Sequence, residues 1–572
     1  MARTHTYTKA KQRMPWMIGG LAVFLFFSFA VFWLLYPFPS NEKTDYFNTQ
    51  YPLIFKGKKY TGEVLYEDGI YLSFDFVKEY IDSELHYDES SRSVIVTTQE
   101  KVYQMPSNTK QYYINNESTQ LSFPAVKTDQ GNVYVSSDWM SEVYPVQIEY
   151  HDNTTAVSLY ENEQILQQGA VTAEGADERR VRTEPTVTSS YVSELKREEM
   201  VTIETEEEGY YFVRTEDGVG GYVKTSAISI EEPKRITVDV EEAKNPFTPS
   251  LEWPVHVTWD QLATNDPLEA MPGVQVISPT WFTLQNGEGE IRNIASESYV
   301  KNAKDKGYSI WALFSNGFDP DITKEALNSF EKRKSMIEQL LYFAEIYRLN
   351  GFNIDFENVY ETDGANLTQF IRELTPLAHK EGLVVSVDVS FISGSAQWSK
   401  FYERKELAEA ADYIMVMAYD EHWGSSSVAG SVSSLPWVEN GLERILEEIP
   451  HEQLILGAPL YTRLWKEEMT EDGSVEVSSE AMSMEEANEW IEEYQVEPSY
   501  DPGTGQDYVQ YSEEDITYKM WLENETSLQK RALLVHQYQL AGLATWSQTF
   551  ATDEAFQTIE KALKKRKMIE KE

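Results

Sequence analysis

From residue 253 onward, short apolar runs alternate with segments of helical periodicity, and this alternation limits the possible folds more than any other feature of the chain. Apolar strands separated by helices indicate βαβ units around a parallel sheet. Eight such runs predict an α/β fold, a (β/α)8 barrel over residues 253–563, with an acidic insertion at 466–525 between the seventh and eighth strands. The runs begin at His256, Val274, Tyr308, Phe352, Leu383, Tyr413, Leu454 and Leu540.

The fourth run, GFNIDFE, carries the polar residues that point most clearly to chemistry. Side chains alternate along a strand, so Asn353, Asp355 and Glu357 share one face and apolar residues share the other. Because the apolar face packs against the helices, the polar face points into the barrel, with Glu357 nearest the C-terminal strand ends, where such barrels hold their active sites. Burial and a neighbouring carboxylate raise the pKa of such a group, as a general acid requires. The alternative is a carboxylate paired with an Arg or Lys inside the barrel.

Several segments resemble one family of enzymes. GFNIDFE is similar to the D-x-x-D-x-D-x-E motif of glycoside hydrolase family 18, the chitinase-like (β/α)8 enzymes. MAYD, at Met417–Asp420, ends the sixth strand, and Trp546 in LATWS ends the eighth. The run GAPLYTRLW, Gly457–Trp465, resembles the seventh strand of membrane- and spore-associated wall hydrolases of that family. The resemblance covers nearly all of residues 253–563.

The resemblance implies substrate-assisted, retaining hydrolysis, an exception to the scheme with two catalytic carboxylates. Glu357 would protonate the leaving glycosidic oxygen and later act as a base. Asp355 would orient the N–H of the sugar's acetamido group and stabilise the developing positive charge, and Tyr419 would donate to the acetamido oxygen. The residues expected to bind the substrate are Asn353, Met417, Asp420, Tyr461, Arg463, Trp465 and Trp546, the last as the apolar floor beneath the sugar.

One position departs from the family motif, because its first aspartate is Asn353 here. An amide cannot take up a proton, so a relay from Asp355 deeper into the barrel is unavailable, although Asn353 can still hold Asp355 by a hydrogen bond. The pattern N-x-D-x-E also occurs among relatives that attack bacterial wall or spore cortex. We therefore expect activity with a changed pH profile.

Residues around the other strand ends are further candidates for the cleft. Arg463 is expected to bind an acyl or carboxyl group of the substrate, or alternatively to close the acidic insertion by a salt bridge. Aromatic faces suit the apolar face of a pyranose, but barrels also bury aromatic residues in their cores. The aromatic candidates of this kind are Trp281, Phe314, Trp398 and Trp423.

Residues 50–161 contain a duplicated segment, in which GIYLSFDFVKEYIDSELHYDESSRSVIV from Gly69 aligns with NVYVSSDWMSEVYPVQIEYHDNTTAVSL from Asn132. Each copy predicts a strand, a helix N-capped by Ser or Asp, and a strand pair, and hence a small α+β module. It resembles the repeated domain at the N-terminus of copper amine oxidases. His86 and His151 do not occupy equivalent positions, so we expect no copper site and favour a stalk or wall-facing spacer.

Residues 181–230 predict a small all-β barrel. Strand-like runs alternate with turns, and the hairpin GYYFVRTEDGVGGYV has Gly218, Gly220 and Gly221 at its bends. The segment is similar to the bacterial Src-homology-3-type domain that often accompanies cell-wall enzymes. The polar, aperiodic residues 162–180 before it are interpreted as a linker.

The N-terminus has the pattern of a single transmembrane helix. Residues 1–13 are basic, and the apolar run 14–36 is uncharged and long enough to cross a bilayer, for which about 20 residues suffice. The basic flank before the run places residues 1–13 in the cytoplasm and the remaining domains outside, facing the cell wall. The alternative is a cleaved signal peptide, whose apolar core is usually shorter.

Charge and residue usage exclude several classes of function. The chain has 49 Lys and Arg against 94 Asp and Glu, a net charge of −45, which argues against nucleic acid as a partner. It has no cysteine, and its eight histidines show no metal-ligand spacing, so neither a metal nor a cofactor is expected.

The sequence therefore predicts a membrane-tethered, cell-surface glycoside hydrolase that cleaves β-1,4-linked N-acetylglucosamine polymers. Peptidoglycan is favoured over chitin because an anchored protein with a wall-type accessory domain acts on what surrounds its own membrane. Two alternatives remain, a lectin-like barrel that binds sugar without turnover and an anchored scaffold with a vestigial barrel. The oligomeric state is not predicted.

Overall fold

The computed structural model describes residues 14–35, 38–239, 247–262, 268–470 and 473–564. Helix α1, Met14–Leu35, covers most of the run that was predicted to cross a membrane. The predicted cytoplasmic segment 1–13 and Tyr36 lie outside the described residues, as do the side chains of residues 14–18 and 33–35. Within the described part, no helix has the length and apolar character that crossing a bilayer requires, so the predicted transmembrane helix is not confirmed.

The chain divides into two compact units. The first comprises Met1–Ser83, Ser107–Lys110 and Leu121–Glu242, and the second comprises Glu84–Pro106, Gln111–Gln120 and Ala243–Glu572. The duplicated segment contributes to both units, because its residues Glu84–Pro106 and Gln111–Gln120 belong to the second unit.

The duplicated segment has the predicted strand, helix and strand pair in each copy. Its elements are β1 (Leu53–Phe55), β2 (Lys58–Tyr60), β3 (Val64–Tyr66), β4 (Ile70–Ser73), α2 (Phe74–Tyr80), β5 (His86–Asp88), β6 (Ser93–Thr97), β7 (Val102–Pro106), β8 (Gln111–Ile114), β9 (Glu117–Gln120), β10 (Val126–Asp129), β11 (Asn132–Ser136), α3 (Ser137–Val143), β12 (Val146–His151) and β13 (Ala156–Glu161). Ser73 and Ser136 occupy matching N-caps, where each hydroxyl accepts the N–H of the residue three positions on. In the first unit, β4 pairs antiparallel with β11, so the two copies share a sheet.

Residues 165–235 of the first unit form a β domain, which begins before the predicted start at residue 181. Its strands are β14 (Ile165–Val171), β15 (Arg180–Arg182), β16 (Tyr191–Glu194), β17 (Met200–Glu207), β18 (Tyr210–Arg214), β19 (Gly220–Lys224), β20 (Ile228–Ile230) and β21 (Lys234–Arg235). They form one sheet in the order β16-β15-β19-β18-β17-β14-β20, with β21 paired to β14.

The interpretation of residues 162–180 as a linker is wrong, because β14 lies inside this segment and pairs with β17 and β20. At Gly169 a Cβ atom would come within 2.6 Å of Ile228 and 2.9 Å of Ile203, so a residue without a side chain permits the close approach of strands. Gly218 adopts a positive φ of 79° at the predicted hairpin, whereas Gly220 and Gly221 lie within β19. The Src-homology-3-type assignment of this domain stays a prediction.

The second unit contains the predicted (β/α)8 barrel, and each of the eight apolar runs supplies one strand. The barrel strands are β22 (Val255–Asp260), β23 (Val276–Leu284), β25 (Ser309–Ser315), β26 (Gly351–Asp355), β27 (Val384–Ser390), β28 (Tyr413–Met417), β29 (Leu454–Pro459) and β35 (Gly542–Trp546). All neighbours are parallel, and β22 closes the barrel by pairing with both β23 and β35. A short strand, β24 (Ile291–Asn293), pairs antiparallel with β23 outside this ring.

Helices cover the barrel strands and bury their outward-facing apolar side chains. They are α4 (Glu297–Asp305), α5 (Pro320–Leu327), α6 (Phe330–Tyr347), α7 (Gly364–Lys380), α8 (Arg404–Ala410), α9 (Leu435–Ile445), α11 (Glu525–Gln537) and α12 (Asp553–Lys564). The core between strands and helices includes Phe352 and Ile354 of β26 with Leu340 of α6 and Phe370 of α7. The sheet β5–β9 joins the same unit, since Ile95 and Val102 belong to this cluster.

The acidic insertion between the seventh and eighth barrel strands has a fold of its own. It consists of β30 (Tyr461–Met469), β31 (Val475–Ser483), α10 (Met484–Tyr494), β32 (Ser499–Asp501), β33 (Gln506–Glu513) and β34 (Ile516–Leu522). Its five strands form an antiparallel sheet in the order β31-β30-β34-β33-β32, over a small core that contains Trp490, Val509 and Met520. The inserted sheet starts at Tyr461, directly after β29.

Candidate active site

Strand β26 separates polar from apolar side chains as its alternation predicts. Phe352 and Ile354 are buried against the helices, whereas Asn353 contacts residues on β22, β23 and β27 across the barrel interior. Asp355 shares the inward face of Asn353. Because β26 ends at Asp355, Glu357 stands just beyond the strand, at the C-terminal mouth of the barrel.

Asp355 and Glu357 are a pair of carboxyl groups whose pKa values are both raised. Asp355 is only 7% exposed, and burial raises its pKa to about 7. Burial and then the neighbouring carboxyl groups of Asp355 and Asp420 raise the pKa of Glu357 well above its usual range. The pair therefore retains a proton toward neutral pH, which keeps Glu357 in the form that a general acid needs.

The main chain around Glu357 is fixed by two side chains. Asn316, which follows β25, accepts the N–H of Glu357 at 3.1 Å and donates to the carbonyl oxygen of Glu357 at 2.7 Å. The hydroxyl of Tyr402 donates to the carbonyl oxygen of Phe356 at 2.9 Å. These bonds limit the positions that the Glu357 carboxyl can take, which favours a productive geometry over a mobile one.

Aromatic residues from three other strand ends stand around the mouth. The rings of Tyr419 and Trp546 lie 6.4 Å apart and nearly parallel, at 27°. Tyr461 donates its hydroxyl to Oδ1 of Asp420 at 2.5 Å, and Met417 ends β28 in a half-buried position. Burial and nearby carboxyl groups raise the pKa of Tyr419, so its hydroxyl keeps its proton and remains a hydrogen-bond donor.

Asn353 holds a different group from the one predicted. Its Nδ2 donates to Oδ1 of Asp388 at 2.7 Å, while its Oδ1 accepts from Trp259 and Ser278. Oδ1 of Asp355 has no hydrogen-bond partner among the described residues, so the expected bond from Asn353 to Asp355 is absent there. Asn353 is fully buried and does not reach the open cleft, which contradicts its prediction as a substrate-binding residue.

Of the two predicted residues at the start of the insertion, one is accessible and one is not. Arg463 is half-buried, donates to Oγ of Ser479 at 3.3 Å and forms no ion pair with any described residue. The alternative salt bridge into the insertion is therefore not observed there. Trp465 is 0% exposed and donates its Nε1 proton to the carbonyl oxygen of Gly430 at 2.8 Å. The prediction that Trp465 lines the cleft is wrong, because β30 turns this side chain into the interior of the protein.

The four aromatic candidates at other strand ends divide into two pairs. Trp281 and Phe314 are buried in the core, which is the alternative that the sequence left open. Trp398 and Trp423 are 47% and 55% exposed, so their rings remain accessible to a sugar. Trp398 lies 6.4 Å from the exposed ring of Phe318, which follows β25.

Sequence reasoning missed five residues that build the site. They are Trp259, Ser278, Asn316, Asp388 and Tyr402, and each contacts Asn353 or the segment around Glu357. Ser278 and Asp388 had a usable signal, since each is a polar residue within an alternating apolar strand, as in GFNIDFE. Asn316 and Tyr402 had none, because their roles depend on bonds to main-chain atoms distant in sequence.

Comparison with known families agrees with these elements. Residues 282–550 match the family model "Glycosyl hydrolases family 18", and residues 55–159 match "Copper amine oxidase N-terminal domain". The first match contains Asp355, Glu357, Tyr419 and Trp546, and the second contains the duplicated segment.

Relatives of known sequence or structure cover the barrel. The chain is 26% identical over 321 residues to an uncharacterized glycosylase, YvbX, of Bacillus subtilis (strain 168), covering 54% of this chain and 90% of that protein. It is 24% identical over 239 residues to the cortical fragment-lytic enzyme of the same organism, covering 41% of this chain and 54% of that enzyme. The C-terminal domain of a candidate chitinase from Desulfitobacterium hafniense DCB-2 superposes with a TM-score of 0.50 at 20% identity, covering 55% and 99% of the two chains, and this likeness concerns the fold alone. Residues 282–550 are therefore similar to the glycosyl hydrolases family 18, and the protein is a glycosidase.

Proposed function

We propose that the protein hydrolyses β-1,4-linked N-acetylglucosamine polymers, with peptidoglycan as the substrate, by a substrate-assisted retaining mechanism. The observation that carries this proposal is the pair Asp355 and Glu357 at the barrel mouth, with both pKa values raised. One carboxyl group of such a pair can donate a proton while the other stabilises positive charge on a sugar, and the aromatic side chains at the mouth can pack against the sugar ring.

The first half of the reaction breaks the glycosidic bond. Protonated Glu357 donates its proton to the glycosidic oxygen, and the bond from C1 to that oxygen breaks. The carbonyl oxygen of the sugar's own 2-acetamido group forms a new bond to C1, which gives an oxazolinium ion. Asp355 accepts the acetamido N–H and its negative charge stabilises the ion, while Tyr419 donates to the acetamido oxygen and Trp546 packs beneath the ring.

The second half restores the enzyme. A water molecule attacks C1, and Glu357, now a carboxylate, removes a proton from this water. The bond between C1 and the acetamido oxygen breaks, so the sugar leaves with its original anomeric configuration. The main-chain bonds from Asn316 serve both halves, since they keep Glu357 within reach of the leaving oxygen and then of the water.

Two observations support peptidoglycan over chitin. One curated relative is named for lysis of cortical fragments. Arg463 lies close enough to Tyr461 for its charge to act on that phenol, and it forms no ion pair with a described residue, so its guanidinium is available for a carboxylate of the substrate. Peptidoglycan carries carboxylates on muramic acid residues that lack a stem peptide and on the stem peptides themselves, and chitin carries none.

The test is an incubation of the purified full chain with peptidoglycan sacculi and with chitooligosaccharides, with the products identified by mass spectrometry. We expect glycan fragments that end in reducing N-acetylglucosamine from the sacculi. Cleavage of the chitooligosaccharides alone would contradict peptidoglycan as the substrate. Binding to both polymers without any product would contradict hydrolysis and support the lectin alternative.

Replacement of Arg463 tests the substrate class directly. We expect Arg463→Gln to lower kcat/KM on peptidoglycan about tenfold, since a lost charge-assisted hydrogen bond costs roughly 1.5–3 kcal/mol. Its effect on chitooligosaccharides should be less than about twofold, because they offer no carboxylate. Arg444→Gln, at an exposed position of α9, is the matched control. Equal losses on both substrates would assign Arg463 a structural role instead.

We also propose that the protein is held in the cell membrane with its barrel facing the cell wall. The support is the basic segment 1–13, followed by the uncharged apolar run 14–36. Full-length protein should sediment with membranes and resist an alkaline wash, whereas a variant without residues 1–37 should remain in the supernatant. Recovery of the full-length protein in the soluble fraction would contradict this location.

A further inference from the structure

Asp388 is a buried carboxyl group inside the barrel to which the mechanism above gives no role. It lies on β27, is 1% exposed, and shares the inward face of that strand with Ser386 and Ser390. A carboxyl group at this depth requires a hydrogen bond or a proton. The hydrogen bond comes from Nδ2 of Asn353, at 2.7 Å from Oδ1.

The strand register places Asp388 beside Asp355. Strands β26 and β27 are parallel, with Asn353 opposite Ser386 and Ile354 opposite Val387. One further step along both strands brings Asp355 level with Asp388, and neighbouring strands are about 4.8 Å apart. Both side chains point inward, so two carboxyl groups stand at the same height in the barrel.

The orientation of the Asn353 amide follows from its other partners. Trp259 can only donate, and its Nε1 lies 2.7 Å from Oδ1 of Asn353, while Oγ of Ser278 lies 3.0 Å from the same atom. The NH2 group of Asn353 must therefore face Asp388. An aspartate at position 353 would instead bring two carboxyl oxygens into contact, and they would need a proton between them.

We propose that Asp388 is a positioning residue for the hydrolysis, a third buried carboxyl group that the amide of Asn353 holds beside Asp355 and that keeps a proton on the Asp355–Glu357 pair. The chain thus carries on its fifth strand the second inward carboxyl group that the fourth strand lacks at position 353. This inference rests on the proposed roles of Asp355 and Glu357.

The electrostatic surroundings agree with this role. Burial and then the neighbouring carboxyl groups of Asp355 and Glu357 raise the pKa of Asp388 well above its usual range, and Asp388 in turn raises the pKa values of Tyr402 and Tyr419. The hydrogen bonds from Asn353 and the indole of Trp259 oppose this rise only in part. The three carboxyl groups therefore do not all ionise together near neutral pH, and Asp388 opposes the departure of the last proton from the Asp355–Glu357 pair.

The test compares the pH dependence of kcat/KM in three full-length variants. Asp388→Asn removes this titratable carboxyl group with almost no change in shape, so the basic limb of the profile should move to lower pH by about one unit. The exchange variant Asn353→Asp/Asp388→Asn returns a carboxyl group to the barrel at the neighbouring position, so its basic limb should return toward that of the wild type. Glu357→Gln reports separately on the proposed function.

Each outcome decides the matter. An unshifted basic limb in Asp388→Asn, with Glu357→Gln inactive, would overturn the role of Asp388 and leave the proposed function standing. A shifted limb that the exchange variant does not correct would indicate a packing defect and also overturn it. If Asp388→Asn does not fold by circular dichroism, the exchange variant carries the test alone, and a displaced limb there refutes the proposal. Hydrolysis by Glu357→Gln at the wild-type rate would instead refute the proposed function itself.

Discussion

Replacement of Glu357 by glutamine is expected to lower kcat on peptidoglycan by about 10²–10⁴-fold, the range that a general acid contributes. The amide keeps the size of the side chain but has no proton of suitable acidity to give to the leaving oxygen. The two hydrogen bonds from Asn316 involve main-chain atoms of Glu357, so they survive the substitution. The measurement is the rate of release of reducing ends from sacculi by wild type and variant at equal concentration.

Two further measurements make this result specific. Glu361→Gln is the matched control, because this residue is an exposed glutamate on the same loop and should retain the wild-type rate. Binding of the Glu357→Gln variant to insoluble peptidoglycan should persist, since the substitution leaves Tyr419, Trp546 and Arg463, the proposed binding residues, unchanged. A Glu357→Gln variant as active as the control would show that another group protonates the leaving oxygen.

The barrel was predictable because its determinants are local. Each strand is an apolar run flanked by turn residues, so all eight could be assigned from hydrophobic pattern alone, and their parallel arrangement follows from the helices between them. The polar face of GFNIDFE was predictable for the same reason, since strand alternation settles which side chains point inward. The helix starts of the duplicated segment were equally local, because Ser73 and Ser136 precede their helices directly.

The parts that were not predicted depend on contacts between distant segments. Asn353 was expected to hold Asp355, two residues away, but its partners come from three other strands. Trp465 was expected in the cleft, but β30 pairs with β31 and β34, and this pairing sets the direction of its side chain. Strand β14 was not predicted, because its glutamines interrupt the apolar alternation that indicates a strand. Its pairing with β17 and β20 stabilises it.

Loss of Glu373 is expected to cause the largest decrease in stability of any single substitution considered. Arg333 on α6 is fully buried and forms a two-pronged bond with Glu373 on α7, from Nε at 2.9 Å and from Nη2 at 2.8 Å. Its remaining Nη1 donates to the carbonyl oxygen of Leu327, and Nη2 lies 3.6 Å from Asp88 on β5. Glu373→Leu removes the partner of a buried cation, which costs about 3–5 kcal/mol of unfolding free energy.

The paired substitution Arg333→Met/Glu373→Leu separates two free energies, the net contribution of the ion pair to stability and the penalty for removing only the Glu373 partner of buried Arg333. Because apolar residues of similar volume often replace a buried ion pair without loss, the double variant should recover most of the stability that Glu373→Leu loses. The measurement is the urea midpoint of the barrel transition followed by tryptophan fluorescence. Asp305→Asn is the control, since its ion pair with Lys301 on α4 is exposed and should contribute less than about 1 kcal/mol. A double variant less stable than Glu373→Leu would mean that the hydrogen bonds of Arg333 themselves, and not merely the pairing of its charge, hold α6 and α7 together.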